Sequence, residues 1–201
     1  MTAGAASVEE DQVGEPFVTR VLGWVLLVGG AMGLVSSFAL VLDKLSVLGD
    51  PSFVPSCSIN EVVSCGAVLT SEQAELFGFP NPLIGVAAYP VLITLGVLRL
   101  AGVRPPAWID HGLQVGATLG LVFVLWLMSQ SLYVIGALCP WCMAAWAATI
   151  SVFWYTTLHN LTRTRIALTP PVRFAILYHG AVLAVVLLGV TTLILLRFRP
   201  S

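Results

Sequence analysis

Long stretches without a charged side chain constrain the fold of this chain more than any other feature. They cover residues 21–42, 76–98, 112–158 and 174–196, and among Lys, Arg, His, Asp and Glu only His179 occurs within them. A helix needs about 20 consecutive apolar residues to cross the hydrocarbon of a bilayer. The third stretch is long enough for two helices, with Gly136 and Pro140 near its middle to supply a turn. The pattern predicts an all-α integral membrane protein with five transmembrane helices, at about 18–42, 82–101, 113–137, 140–158 and 174–196.

The composition supports membrane lipid as the solvent of this chain. Charged residues make up only 9% of the 201 residues and hydrophobic residues 58%, whereas a soluble domain carries about 25% charged residues. The net charge is -1, while nucleic-acid binding requires a basic face. Nucleic acid is therefore excluded as a partner.

The N-terminus and the loops complete the predicted organisation. Residues 1–17 are acidic and rich in small side chains, which predicts a disordered cytoplasmic segment. A secretory signal begins with basic residues, so the first span is predicted to be retained as an anchor. The predicted segments are a four-helix part at 18–158 with an outer loop at 43–80, a cytoplasmic loop at 159–173, the fifth transmembrane helix at 174–196 and a tail at 197–201.

The distribution of basic residues predicts the orientation in the membrane, because cytoplasmic loops carry an excess of Lys and Arg. With the N-terminus in the cytoplasm, six basic residues face inward and three outward. The inward ones are Arg20, Arg99, Arg104, Arg163, Arg165 and Arg173, and the outward ones are Lys44, Arg197 and Arg199. This orientation puts all four cysteines on the outer face, where disulfides persist.

Cys139 and Cys142 form a Cys-X-X-Cys motif at the predicted start of the fourth span. Pro140 suits the first turn of a helix, where its missing N–H is not needed. Cys139 then lies at the helix N-terminus, where free N–H groups and the helix dipole stabilise a thiolate. Cys142 shares the same helix face, close enough for a disulfide. The motif predicts a preformed redox pair.

Cys57 and Cys65 lie in the first outer loop, eight residues apart. On one continuous helix they would be about 12 Å apart, too far for a bridge, so a bridge requires irregular chain. The residues around Cys57 predict irregular chain, whereas those from Asn60 onward predict a short surface helix that carries Cys65. We therefore expect Cys57 to be mobile and Cys65 to be fixed, which suits stepwise thiol–disulfide exchange. Two inert structural disulfides are the alternative, and a four-cysteine zinc site is disfavoured because the spacing exceeds the usual two to four residues.

These residues together resemble the vitamin K epoxide reductase family in its bacterial form, over roughly residues 18–158. The shared pattern is Cys-X7-Cys, a serine six residues later, Asn-X-X-X-Gly opening the second span and Cys-X-X-Cys opening the fourth. It is carried here by Cys57, Cys65, Ser71, Asn81, Gly85, Cys139 and Cys142.

The resemblance implies a four-helix bundle around a quinone (menaquinone or ubiquinone), a covering outer loop, a peripheral fifth helix and no metal. It implies that Cys57 meets a thioredoxin-fold partner and that Cys65 attacks Cys139. Cys142 would then face the quinone. The predicted quinone-binding residues are Ser71, Asn81 and Trp146, of which Trp146 stands where animal members have tyrosine. From the residues alone, a helix-capping role is the preferred explanation of Asn81, Ser71 is explained in the same way, and Trp146 is equally well explained as a packing residue.

Many bacterial relatives carry a thioredoxin-like domain after the fifth span, whereas this chain has only residues 197–201 there. The resemblance therefore implies a separate thioredoxin-fold thiol oxidase outside the cytoplasm as the partner. The predicted function is a thiol–quinone oxidoreductase of the cell (inner) membrane that supports disulfide formation. Two alternatives stand beside it: a non-enzymatic membrane scaffold with two structural disulfides, and the unrelated four-helix disulfide oxidase of proteobacteria, in which the Cys-X-X-Cys pair comes first.

Overall fold

The computed structural model describes residues 3–50, 52–163 and 169–199, with side chains from residue 18 onward. The helices are α1 (Ala3–Gly49), α2 (Cys65–Leu69), α3 (Pro82–Leu100), α4 (Ala107–Gln130), α5 (Pro140–Thr162), α6 (Pro170–Leu177) and α7 (His179–Arg197). A 3₁₀ turn covers Glu72–Glu75, and a π-helical turn covers Ser131–Ile135. No strand occurs in the part of the chain that the structure describes, so the predicted all-α class is confirmed.

Within the described ranges, four helices are long and apolar enough to cross a membrane. They are Val18–Gly49, Pro82–Leu100, Ala107–Ile135 and His179–Arg197. The predicted fourth span, α5, has 23 residues, enough for a bilayer, but it is less apolar than these four helices. The reason lies in its position, because α5 packs against both α1 and α4 and buries polar residues such as Thr149, Thr156 and His159. A helix enclosed by other helices can carry polar side chains that lipid would exclude. The count of five spans stays a prediction.

The turn between the third and fourth predicted spans is built as the sequence suggests. Gly136 follows the π-helical turn with a φ of 72°, a left-handed conformation that glycine adopts readily. Cys139 is the N-cap of α5, and Pro140 occupies the first turn of that helix.

The first helix is longer than predicted at both ends. It begins at Ala3 rather than near residue 18, so residues 3–17 continue the helix instead of being disordered. At its other end the helix runs to Gly49, so Asp43 and Lys44 are helical residues rather than part of the loop.

Two other elements also differ from the predicted bounds. The short helix of the outer loop begins at Cys65 rather than at Asn60, because Asn60 Oδ1 accepts hydrogen bonds from the N–H groups of Val62 and Val63 and holds a turn there. The fifth predicted helix, 174–196, is broken at Tyr178 into α6 and α7.

The helices pack as one bundle with α1 and α5 at its centre. The first helix contacts α3 and α5, and α4 contacts α5. Close approach of α1 and α3 depends on small residues, because a Cβ on Gly96 would come within 2.7 Å of the backbone nitrogen of Leu27. The ring of Tyr89 likewise lies directly against Gly33.

A buried ionic cluster lies at the end of the bundle away from the cysteines. Asp110 bonds to Arg99 and Arg163, and its Oδ2 lies 3.8 Å from Nε2 of His159. The 20 residues of α5 between Cys139 and His159 correspond to about 30 Å along the helix. The cluster therefore joins α3, α4 and α5 at one end, and the cysteines occupy the other end.

Candidate redox site

Cys139 and Cys142 lie at the N-terminus of α5, as the motif predicts. The Sγ of Cys139 accepts a hydrogen bond from the backbone N–H of Cys142 at 3.4 Å, in the manner of a capping side chain. Both cysteines are free thiols. A hydrogen bond from the Cys142 thiol, supported by the backbone N–H groups of Cys142 and Trp141, lowers the pKa of the Cys139 thiol against the opposing effect of burial. Cys139 is therefore the sulfur of this pair that best carries a negative charge.

Cys57 and Cys65 are joined by a disulfide, with their Cα atoms 5.6 Å apart. Cys65 is the first residue of α2 and is completely buried, whereas Cys57 lies in irregular chain and is partly exposed. Cys57 is thus the cysteine of this disulfide that another protein can reach. The buried sulfur faces the interior of the site.

The two cysteine pairs meet through Cys65 and Cys139, which are 74 residues apart in the sequence. Their sulfur atoms are 3.2 Å apart, and neither side chain has any exposed surface. The sulfur of Cys65 is therefore bonded to the sulfur of Cys57 and is at the same time in contact with the sulfur of Cys139. This is the arrangement from which a disulfide bond can pass from one pair to the other.

Two backbone hydrogen bonds hold Cys65 beside Cys139. The N–H of Ser64 donates to the carbonyl of Leu138 at 2.9 Å, and the N–H of Leu138 donates to the carbonyl of Val62 at 2.7 Å. These bonds form an isolated parallel bridge centred on Val63 and Leu138. Because each strand of the bridge runs directly into a cysteine, the bridge fixes the separation of the two sulfurs.

The end of α1 supplies two charged residues to the site that sequence reasoning did not identify. Lys44 is buried, donates to the carbonyl of Leu69 at 2.8 Å and pairs with Glu75 at 2.9 Å, which ties the loop to the helix. Asp43 Oδ2 lies 3.6 Å from the Sγ of Cys57. Only the unpredicted extension of α1 beyond residue 42 brings these side chains to the loop.

A small cavity of about 40 Å³ adjoins the inner pair. It is lined by Val68, Ser71, Gln73, Ala74, Leu127, Gln130, Ser131, Ile135, Cys142 and Trp146. Ser71 and Trp146, two of the predicted quinone-binding residues, thus share the cavity wall with Cys142. The Ser71 hydroxyl donates to the carbonyl of Val68 at 2.7 Å. Gln73, Gln130 and Ser131 are polar lining residues that no sequence motif indicated.

Asn81, the third predicted quinone-binding residue, is buried behind the wall of this cavity. Its side-chain N–H donates to the carbonyl of Gln73 at 2.7 Å, and its Oδ1 accepts from the N–H of Leu76 at 3.2 Å. Its own N–H donates to the carbonyl of Ala74 at 2.8 Å. Asn81 therefore contacts the backbone of the segment that lines the cavity and is not itself among the lining residues.

Trp146 lies between the cavity and α7. It is 4% exposed and belongs to an apolar cluster with Met128 and Leu132 of α4 and Ile194 of α7. Ile194 is the only buried side chain of α7. The C-terminal end of α7 is thus the part of the fifth predicted span that supports the site.

No group of three or more metal-ligating side chains occurs among the residues that the structure describes. A comparison with curated protein sequences gives no match. The family model described as "Vitamin K epoxide reductase family" matches residues 24–157, a range that covers more than half of the chain and includes all four cysteines. The chain therefore belongs to the vitamin K epoxide reductase family and is a membrane thiol oxidoreductase.

Proposed function

We propose that this protein oxidises a separate thioredoxin-fold protein outside the cytoplasm and transfers the electrons to a membrane quinone. The observation that carries the proposal is the 3.2 Å contact between the sulfurs of Cys65 and Cys139, with Cys65 bonded at the same time to Cys57. An inert pair of structural bridges would not require this contact. A relay of thiol–disulfide exchanges does require it.

The relay follows from the order of the sulfurs. A thiolate of the partner attacks Cys57 of the loop disulfide, and Cys65 leaves as a thiolate. Cys65 attacks Cys139 of the oxidised inner pair, and Cys142 leaves. The partner's second thiol completes the partner's own disulfide and releases Cys57, which then attacks Cys65 and frees Cys139. The inner pair is now reduced; it passes two electrons and two protons to the quinone and becomes a disulfide again.

The cavity beside Cys142 is the proposed site of the quinone ring, whether menaquinone or ubiquinone. A cavity of about 150 Å³ holds a benzene ring, so one of about 40 Å³ must widen before a quinone ring can enter. Trp146 can then stack against the ring, and the Ser71 hydroxyl can turn from Val68 to a quinone oxygen. We assign Asn81 a positioning role, because its hydrogen bonds hold Gln73, Ala74 and Leu76.

The proposed location is the cell (inner) membrane, crossed by five helices, with the N-terminus in the cytoplasm. The separation of charges supports this orientation. The cysteines are at one end of the bundle, and Arg99, Asp110 and Arg163 are at the other. Membrane-impermeant maleimide should label reduced Cys57 from the outside of intact cells, and labelling only after lysis would contradict the orientation.

The test is to mix the purified protein in detergent with menadione and a reduced thioredoxin-fold protein, and to follow the ultraviolet spectrum of the quinone. We expect Cys139→Ala and Cys142→Ala to reduce the rate to background, because each removes a sulfur that must form a bond. Ser56→Ala changes an exposed residue beside Cys57 and serves as the control, with the unmodified rate. Retained quinone reduction in either cysteine variant would refute the relay.

The scaffold alternative is less well supported. It requires two structural disulfides, whereas Cys57 and Cys65 are bonded and Cys139 and Cys142 are free thiols. Trapping a mixed disulfide between Cys57 and a thioredoxin-fold protein in the Cys65→Ala variant would exclude the scaffold.

A further inference from the structure

We propose that Asp43 is the general base that deprotonates Cys57 when Cys57 closes the loop disulfide. The inference rests on the proposed relay and deepens it by assigning a residue to one step. Its starting point is the carboxylate oxygen of Asp43, which lies 3.6 Å from the Sγ of Cys57. Because Cys57 is bonded to Cys65, its sulfur carries no proton for that oxygen to accept. The contact therefore needs an explanation other than a hydrogen bond.

The geometry is that of the products of one exchange step. Cys57 and Cys65 are bonded, and the Sγ of Cys139 is 3.2 Å from the Sγ of Cys65. This is the arrangement expected just after Cys57 has attacked Cys65 and displaced Cys139. In that step the new Cys57–Cys65 bond forms and the Cys65–Cys139 bond breaks. The electron pair of the broken bond leaves on Cys139.

The step needs an acceptor for the proton of Cys57, because the thiolate is the attacking species. Asp43 is at the correct position, since its carboxylate touches the sulfur that loses the proton. The proton passes to Asp43, and the leaving Cys139 thiolate is stabilised by the N–H of Cys142 at the start of α5. One proton moves to Asp43, and the exchange requires no outside oxidant or reductant.

Neighbouring groups do not replace Asp43 in this role. Lys44, the next residue of α1, is directed to the carbonyl of Leu69 and to Glu75, with which it forms an ion pair. The thiols of Cys139 and Cys142 lie in the same apolar cluster as the disulfide. While Cys139 is still bonded to Cys65, it has no free thiolate to accept the proton of Cys57. Cys142 lines the cavity, whereas Asp43 is the group in contact with the Sγ of Cys57.

The experiment follows the lifetime of the Cys65–Cys139 bond in the full-length protein in detergent. The protein is reduced with dithiothreitol, freed of reductant, mixed with menadione, quenched with acid at intervals and alkylated. Non-reducing peptide mass spectrometry then identifies which sulfurs are bonded. Cys57→Ala is the reference, because without Cys57 the Cys65–Cys139 bond should form and persist.

We expect Asp43→Asn to prolong the lifetime of the Cys65–Cys139 bond at least about tenfold at pH 7, since general bases typically contribute 10²–10⁴-fold. The difference from the unmodified protein should shrink as the pH rises towards about 8.5, where a free cysteine loses its proton to solvent. Asp43→Glu should restore most of the rate. Asp50→Asn, which alters an exposed carboxylate bonded only locally to Ser52, is the matched control and should behave like the unmodified protein.

An unchanged lifetime in Asp43→Asn would overturn the assignment. So would a longer lifetime that is the same at every pH and is not restored by Asp43→Glu, because that result describes a structural role. Absence of the Cys65–Cys139 bond in Cys57→Ala would refute the relay itself and this step with it. A persistent bond in Cys57→Ala with a normal lifetime in Asp43→Asn would refute the role of Asp43 alone.

Discussion

At the scale of single residues, Asn81 shows how a polar side chain can serve a site without lining it. It is 6% exposed, and its side chain bonds to the carbonyl of Gln73 and the N–H of Leu76. Buried polar groups left without a partner cost about 1–3 kcal/mol each, so the segment needs Asn81 to keep its backbone satisfied. Because Gln73 and Ala74 line the cavity, the shape of the cavity depends on these bonds.

We predict that Asn81→Ala lowers the free energy of unfolding by about 1–3 kcal/mol and raises the KM for quinone more than it lowers kcat. Removing the side chain leaves the carbonyl of Gln73 and the N–H of Leu76 without these partners. Thermal unfolding in detergent and quinone titrations measure the two effects. Glu72→Gln, an exposed change on the same turn, is the control. Either an unchanged KM or an unchanged Tm would contradict this role of Asn81.

At the scale of elements, the bridge between residues 62–64 and Leu138 links the outer loop to the start of α5. It consists of two backbone hydrogen bonds, of 2.7 and 2.9 Å, and it ends one residue before each of Cys65 and Cys139. Main-chain bonds of this kind do not depend on side-chain identity. No motif in the sequence therefore identifies them.

Leu138→Pro tests the bridge, because proline has no N–H to donate to the carbonyl of Val62. In the Cys57→Ala background we expect the yield of the Cys65–Cys139 bond after addition of menadione to fall severalfold, since the two sulfurs are no longer held together. Leu138→Ala keeps the N–H and controls for loss of the side chain. Equal yields in the proline and alanine variants would show that the bridge does not set the sulfur separation.

At the scale of the whole molecule, the chain concentrates its chemistry at one end of the bundle and its buried ionic contacts at the other. Arg99 and Asp110 have side chains that are 2% and 3% exposed. Breaking a buried ion pair by removing one partner costs about 3–5 kcal/mol, because the remaining charge has lost its compensation. The cluster joins three helices, so its loss should affect the stability of the entire bundle.

Asp110→Asn should therefore lower the Tm in detergent strongly, by an amount equivalent to about 3–5 kcal/mol. The turnover number of the protein that is still folded should change little, because the cysteines lie about 30 Å away along α5. Arg104→Gln, at an exposed position in the same α3–α4 connection, is the control. A Tm equal to that of the unmodified protein would show that the cluster does not hold the bundle together.

Much of the molecule follows from local sequence pattern. The uncharged stretches are sufficient to predict membrane helices, because lipid excludes charge along every residue of a span. The Cys-X-X-Cys pair at the start of α5 is also predictable, since Pro140 and the N-cap position act within one turn of helix. Ser71 and Trp146 follow from the family pattern, and both prove to line the cavity beside Cys142.

Local pattern is sufficient to predict the membrane character of this protein and the form of its inner cysteine pair. The contact of Cys65 with Cys139 across 74 residues, the contact of Asp43 with Cys57 and the hydrogen bonds of Asn81 behind the cavity arise only when the bundle packs. The two groups of features differ in the distance along the chain over which their causes act. Helix propensity, capping and hydrophobic periodicity act over a few neighbouring residues, whereas these contacts depend on where the ends of α1, the loop and α5 meet once the bundle has packed.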